Sequence, residues 1–450
     1  MRTLGGVTIE LERTRPAVTP AARVHEILSA SILADGFDLV LDLRQSRGCK
    51  LVDERDGSAY LDMFGFFASN ALGMNHPALA EDATFRDELV TAALNKPSNS
   101  DIYTVEMARF VETFVRVLGD PRLPHLFFID GGGLAVENAL KIAFDWKSRH
   151  NESNGRAPEL GTKVLHLTGA FHGRTGYTMS LTNTDPVKTA RFPKFDWPRI
   201  DAPFLSDDHD IAEAEAKALD QARRAFAENP HDIACFIAEP IQGEGGDRHL
   251  RPEFLQAMQR LCHENDALFV LDEVQTGVGM TGTTWAYQQL GLAPDIIAFG
   301  KKTQVCGVMA GGRVDEVPDN VFVVNSRINS TWGGNLTDMV RVRRILEVLE
   351  QDSLIERSRA LGAHLLERLQ TLAAQHPSIS EPRGRGLMCA VTVSSAQLRD
   401  DVLTALRERE HVLILGTGDR GIRFRPPLTV TTAELDAAVD ALDRVLAGFE

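Results

Sequence analysis

The run Leu268-Phe269-Val270-Leu271-Asp272-Glu273-Val274-Gln275-Thr276-Gly277 decides how this chain is read. Its four apolar residues make a strand that can be buried on both faces, and the carboxylates of Asp272 and Glu273 stand where that strand ends. The pattern recurs on either side. Apolar runs at 126–129, 164–167, 233–238 and 296–299 alternate with long helical or polar stretches. Such alternation predicts an α/β fold with a mostly parallel central sheet covered by helices on both faces. Asp272 follows Glu239 by 33 residues and precedes Lys301 by 29, and each interval is about one strand-helix-strand unit.

In open parallel sheets, ligands bind beyond the carboxyl ends of the strands, so the residues after each run are the candidates. The first run is followed by Asp130-Gly131-Gly132-Gly133 and a helical stretch at 135–147. Glycines let a ligand approach the backbone, and a helix N-terminus carries roughly half a positive charge. Gly132 and Gly133 therefore make an anion or phosphate cradle, the alternative being a plain tight turn. After the second run comes Gly169-Ala170-Phe171-His172-Gly173-Arg174, an aromatic ring and an arginine in a glycine-framed loop. Glu239-Pro240-Ile241-Gln242-Gly243-Glu244-Gly245-Gly246 follows the third, and Gly300-Lys301-Lys302 the last. One crevice thus receives a phosphate cradle, an aromatic face, carboxylates and a lysine. A phosphorylated pyridine aldehyde needs these groups: a lysine to form a Schiff base, an aspartate to keep the ring nitrogen protonated, and a ring to stack on it. The expected cofactor is pyridoxal 5'-phosphate.

Outside the sheet, residues 38–67 read as an antiparallel piece in which 50–53 and 59–63 flank an Asp56-Gly57 turn. After Asn335 a helical stripe of Val342, Ile345, Leu346 and Leu349 begins, followed by an amphipathic stretch at 361–372 and strands at 389–393 and 411–415. The closing helix opens on a capping box, Thr431 with Glu434, and carries Leu435, Val439, Leu442 and Leu446 on one face. The expected division is a large cofactor-binding domain at 69–335 and a smaller α+β domain at 336–450. The segment 1–68 should pack with the small domain, because about 60 residues make a marginal domain alone. Residues 151–158 are polar and read as a surface loop.

A length of 450 residues fits roughly two or three domains. The composition, 43% hydrophobic and 25% charged, excludes collagen-like, low-complexity and wholly disordered classes. Lysine and arginine total 48 against 63 aspartates and glutamates, a net charge of −15. That surface repels phosphate backbones and anionic lipids, so neither nucleic acid nor membrane is an expected partner. Five scattered cysteines without C-x-x-C spacing suggest reduced thiols. Residues 1–20 lack an apolar signal stretch and no window is long enough for a membrane span, so the expected location is cytoplasmic. The histidines show no metal-ligand spacing, and no metal is expected.

The residues at the strand ends resemble a known family. Residues 169–175, 239–245 and 272–277 and the pair Gly300-Lys301 are similar, in order and spacing across nearly the whole chain, to the signature blocks of the class III (ω-) aminotransferases. Within that family, residues 93–101, 192–198 and 301–307 are similar to the subgroup acting on the ε-amino group of L-lysine.

The resemblance implies a fold-type I enzyme in which Lys301 carries the cofactor, Lys302 being an exposed or ion-paired neighbour. Asp272 would meet the ring nitrogen, and Glu239 would complete the catalytic set. Gly132, Gly133, Phe171, His172 and Gln275 would bind the cofactor. Thr331, in Asn329-Ser330-Thr331-Trp332-Gly333-Gly334-Asn335, would reach the cofactor phosphate of the other subunit, the alternative being a cap for the following helix. Gly133 and Leu134 stand where the family usually has Ser or Thr and then Glu, which leaves more of the phosphate to backbone N–H groups. Arg423, in Arg423-Phe424-Arg425-Pro426-Pro427-Leu428, matches the arginine for the substrate carboxylate. Arg174 would hold the distal carboxylate, and Asn329 would join the substrate-binding set. Glu244 would pair with Arg423 and swing aside, a motion its flanking glycines permit. The implied protein is a homodimer with shared active sites that transfers the ε-amino group of L-lysine to 2-oxoglutarate. Three alternatives stay open: another ω-aminotransferase using ornithine, 4-aminobutyrate or a diamine; an aminomutase or racemase of the same fold; and a catalytically silent binding protein.

Overall fold

The structure, a computed structural model, describes residues 19–449. Residues 1–18, on which the expectation of no signal segment largely rests, lie outside the described residues. The centre is a seven-stranded sheet of β1 His125–Ile129, β2 Lys163–Leu167, β3 Arg199–Ile200, β4 Ile233–Ala238, β5 Leu268–Asp272, β6 Ile296–Phe299 and β7 Cys306–Ala310. Their spatial order is β1-β7-β6-β5-β4-β2-β3. Pairing is parallel from β6 through β5, β4 and β2 to β3, whereas β7 runs antiparallel to both β6 and β1.

Strands β4, β5 and β6 are buried along their whole length, which is why they read as unbroken apolar runs. Their side chains alternate between two cores. Leu268 and Val270 face a core with Ala139, Ala143 and Trp146 of the helix Gly132–Ser153. Phe269 and Leu271 face the other, with Phe110, Phe114 and Leu346. This alternation is the period of two that a pleated strand imposes.

Strand β7 escaped the sequence reading. Only residues 300–305 join it to β6, too few for the ten or more residues of a parallel crossover, so it can only return antiparallel. The reading of 411–415 as one strand is also corrected. Val412–Leu413 pairs with Ala59–Asp62, whereas Leu415–Thr417 pairs with Gly421–Phe424 in a four-stranded antiparallel sheet completed by Met388–Val393 and Ile379–Arg385. Residues 151–158 are only partly a loop, because the helix Gly132–Ser153 runs into them. Asn151 is buried there, and its amide donates to the carbonyls of Leu160 and His231. The Thr431/Glu434 capping box is formed, and the four leucine and valine positions of the closing helix are buried.

Because β1, β2, β4, β5 and β6 point the same way, the residues at their carboxyl ends open on one side of the sheet. That arrangement positions the site.

Candidate active site

A cavity of about 380 Å³ lies beyond those strand ends. Its wall includes Gly132, Gly133, Phe171, His172, Arg174, Glu239, Glu244, Asp272, Gln275 and Lys301. Gly132 and Gly133 form the first turn of the helix Gly132–Ser153, whose leading N–H groups have no carbonyl partner within the helix. A Cβ on Gly133 would crowd the Thr175 side chain at 3.3 Å, so glycine keeps the approach open.

Asp272, the last residue of β5, is buried at 6% exposure. Its Oδ2 accepts from His172 Nδ1 at 2.8 Å, and its Oδ1 accepts from the Val274 N–H. The imidazole thereby fixes the carboxylate's orientation. Glu239 is equally buried, and its two oxygens accept the N–H groups of Phe171 at 2.9 Å and Gly243 at 3.0 Å. Burial, with Asp272 adding to it, pushes its carboxyl up to about 7. Both oxygens are held by backbone, so Glu239 braces two loops at the cavity wall.

Lys301 follows β6 with φ at +54°, a left-handed conformation costly for a lysine and typical of functional sites. Its Nζ donates to the Phe67 carbonyl at 3.0 Å. Burial first, then the neighbouring Arg423, lowers its pKa to about 8. Lys302 departs from the expectation of an exposed or ion-paired residue. It is 1% exposed, and its Nζ donates to the carbonyls of Ala68 and Gln275 at 3.2 and 3.1 Å. Burial drives its pKa well down, because two neutral carbonyls compensate a buried cation poorly.

Glu244 lines the cavity and covers Arg423, which is only 3% exposed and forms no part of the wall. Arg423 Nη2 donates to Glu244 Oε1 at 2.6 Å. Burial would raise the Glu244 carboxyl, but Arg423, Lys188 and Lys301 more than offset it and hold it at about 2. Arg174 stands exposed at the mouth, its guanidinium 6.0 Å from the Phe171 ring centroid. Thr331 and Asn329 are not brought to the cavity within one chain; both are exposed. Asn335, rather than Thr331, caps the following helix, accepting from the Thr337 N–H at 2.9 Å.

Two contributors went unread in the sequence. Gly65, Phe66, Phe67 and Ala68 form a left-handed turn, with φ of 52°, 50°, 59° and 65°, that aims consecutive carbonyls at Lys301 and Lys302. Non-glycine residues rarely adopt that conformation, so no local signal announces it. Arg425 is 1% exposed and pairs with the fully buried Asp247. Its Nε donates to Gln275 Oε1 at 3.0 Å. Arginine is only a donor, so the Gln275 oxygen is the atom facing Arg425 and its NH₂ remains for other partners.

These residues fit pyridoxal phosphate: unpaired helix N–H groups at one end of the cavity, a braced carboxylate, apolar Phe171 and Val274, and an amine of lowered pKa. Among the described residues, no group of three His, Cys, Asp or Glu side chains is placed to hold a metal, and no helix is long and apolar enough to cross a membrane.

The chain belongs to the class-III aminotransferase family, whose pattern matches residues 34–446; it is a pyridoxal-phosphate-dependent aminotransferase. It is 65% identical over 432 residues to an L-lysine-epsilon aminotransferase of Mycobacterium bovis, covering 95% of this chain and 96% of that protein. An L-lysine-epsilon aminotransferase of Streptomyces clavuligerus is 60% identical over 94% of this chain and 93% of its own. The solved lysine aminotransferase from M. tuberculosis superposes with a TM-score of 0.95 at 65% identity, covering 96% of this chain and all of that one.

Proposed function

We propose that the chain transfers the ε-amino group of L-lysine to 2-oxoglutarate, giving 2-aminoadipate 6-semialdehyde, which cyclises, and L-glutamate. The observation that carries this reading is Glu244 masking Arg423 at the wall that holds Lys301. A masked arginine presents no bare cation to lysine's aliphatic chain and ammonium, yet remains available to an oxoacid carboxylate. The 65% identity to proteins named for lysine supports the donor.

Bound in the cavity, pyridoxal phosphate supplies an aldehyde carbon that carries the amino group and a ring that withdraws electrons from it. The N–H groups of Gly132 and Gly133 would hold its phosphate, with the helix dipole behind them. Phe171 would stack on the ring, and Asp272, oriented by His172, would hold a proton at the ring nitrogen. The Gln275 NH₂, left free by the contact of its oxygen with Arg425, would be available to donate to the cofactor. Lys301 would hold the cofactor and move a proton at the substrate Cε; a pKa near 8 leaves a useful fraction of free amine at neutral pH. Arg174 binds the distal carboxylate that both substrates share.

Thr331 and Asn329 are exposed beside a loop whose Ser98 and Ser100 hydroxyls donate to the Thr331 and Ser330 carbonyls. That support suits a loop offered to the partner's cavity in a homodimer with shared sites. The division at 68 and 335 rests on the pairing of Val412–Leu413 with Ala59–Asp62, which ties the first segment to the small domain. Net charge and five free cysteines favour the cytoplasm.

An amine-donor panel with product identification tests the function. Lysine should surpass ornithine, 4-aminobutyrate and diamines, with one glutamate formed per semialdehyde. Preference for another donor would overturn the lysine assignment, and turnover without glutamate would identify an isomerase.

A further inference from the structure

The exchange of two substrates over Arg423 raises an electrostatic problem, whose solution rests on the proposed function and on Glu244 masking that arginine. While Glu244 pairs with Arg423, both charges are compensated. Once an oxoacid carboxylate takes Arg423, Glu244 becomes a largely buried anion beside another anion, which is costly unless a second cation receives it.

Glu244 cannot leave by moving its loop. Thr417 Oγ1 and Arg423 Nη1 donate to the Gly243 carbonyl, and the Gly418 N–H donates to the Glu244 carbonyl at 3.2 Å. Arg383 donates to the carbonyls of Gly246 and Asp247 at 2.7 and 2.9 Å. Gly245 is glycine because a Cβ would lie 2.2 Å from the Gly169 carbonyl oxygen, so here glycine answers a close approach and not a need for motion. We therefore assign the motion expected of Glu244 to its side chain. Only the side-chain torsions of Glu244 are available.

A cation stands within reach of that rotation. Lys188 ends the short 3₁₀ turn Pro186–Lys188 and places Nζ 3.5 Å from Glu244 Oε2, while Arg423 holds Oε1 at 2.6 Å. The carboxylate already spans two cations, one oxygen to each. Lys188 is seated as well, with its side chain 22% exposed and its ammonium 5.4 Å from the Phe171 ring centroid.

We propose that Lys188 is the second seat of Glu244: the carboxylate pivots from Arg423 to Lys188 when a dicarboxylate takes Arg423, and returns when it leaves. Lys188 is thus a positioning residue that sets the balance between the two substrates without touching either.

The test compares holoenzyme variants in single-turnover half-reactions and in calorimetric binding of glutarate, a dicarboxylate without a carbonyl to react. Lys188→Met should weaken glutarate binding and raise the half-saturation for 2-oxoglutarate by about tenfold, the scale of a partly buried charge pair, while the lysine half-reaction stays within about twofold. Lys188→Arg should restore both. In a Glu244→Ala background Lys188→Met should change nothing further, since no carboxylate remains to be seated. Equal losses in both halves, or an undiminished loss in the Glu244→Ala background, would overturn the role of Lys188. If Glu244→Ala leaves the ratio of the two halves at its parent value, the exchange itself fails and Lys188 with it; if Glu244→Ala shifts that ratio and Lys188→Met does not, the exchange stands and only the second seat is lost.

Discussion

Two pairs of cations meet at the cavity and behind its wall, and within each pair the members are near neighbours in sequence with opposite surroundings. Arg423 gives one nitrogen to Glu244 and one to a carbonyl at 3.3 Å, and its Nε has no partner. Arg425, two residues on, has all three nitrogens engaged, by Gln275, the Phe424 carbonyl and Asp247. Lys301 faces the cavity with a single carbonyl acceptor, whereas Lys302 is sealed between two. Burial alone therefore does not mark a working cation. A nitrogen left without a partner, or an amine facing the cavity, does, whereas a cation whose nitrogens are all engaged away from the cavity is a brace.

The contrast breaks most easily at the lysines. Lys301→Ala should lose the visible absorbance of bound cofactor and at least the factor of about 10² to 10⁴ that a positioned proton carrier supplies. Lys302→Met should keep that absorbance. The reverse result would reassign the cofactor to Lys302.

The next effect is in stability. Arg425→Met leaves the fully buried Asp247 unpaired and should cost about 3–5 kcal/mol in chemical unfolding. Arg423→Met leaves Glu244, which is partly exposed, with Lys188 and should cost less than Arg425→Met. Equal losses would mean that both arginines are braces.

The smallest effect is on proton affinity. Attack on an aldehyde needs a neutral amine, so uptake of pyridoxal phosphate by the cofactor-free protein should rise through about pH 8, where Lys301 titrates. Arg423 disfavours the Lys301 cation more than Arg425 does, and Glu244 favours it. The midpoint should rise more in Arg423→Met than in Arg425→Met, and fall in Glu244→Gln. Because Lys301 titrates lower when folded than its ordinary value of about 10.4, the unfolded chain binds the extra proton between those values, and this group's contribution to stability grows as pH rises from 8 to 10.4.

The same contrast explains what could be read from the sequence. The runs at 233–238, 268–271 and 296–299 were legible because strands covered on both faces lose polar alternation, and the residues closing them fall at one level by topology. Strand β7 was not, since Gly307 interrupts a short run after a polar loop. The brace of Arg425 was hidden because an arginine in a proline-rich segment reads as solvated, and its partner Asp247 lies 178 residues away. Lys188 and the turn at Phe67 act through contacts 56 and 234 residues distant in the chain. Local patterning carries no trace of such pairs.

The central claim is that Glu244 gates Arg423 between two unlike substrates. Single-turnover absorbance of each half-reaction measures it most directly. Glu244→Ala should impair the lysine half more than the 2-oxoglutarate half, and Arg423→Ala should do the reverse. Equal losses in both halves for both variants would contradict the gate and leave a static ion pair in its place.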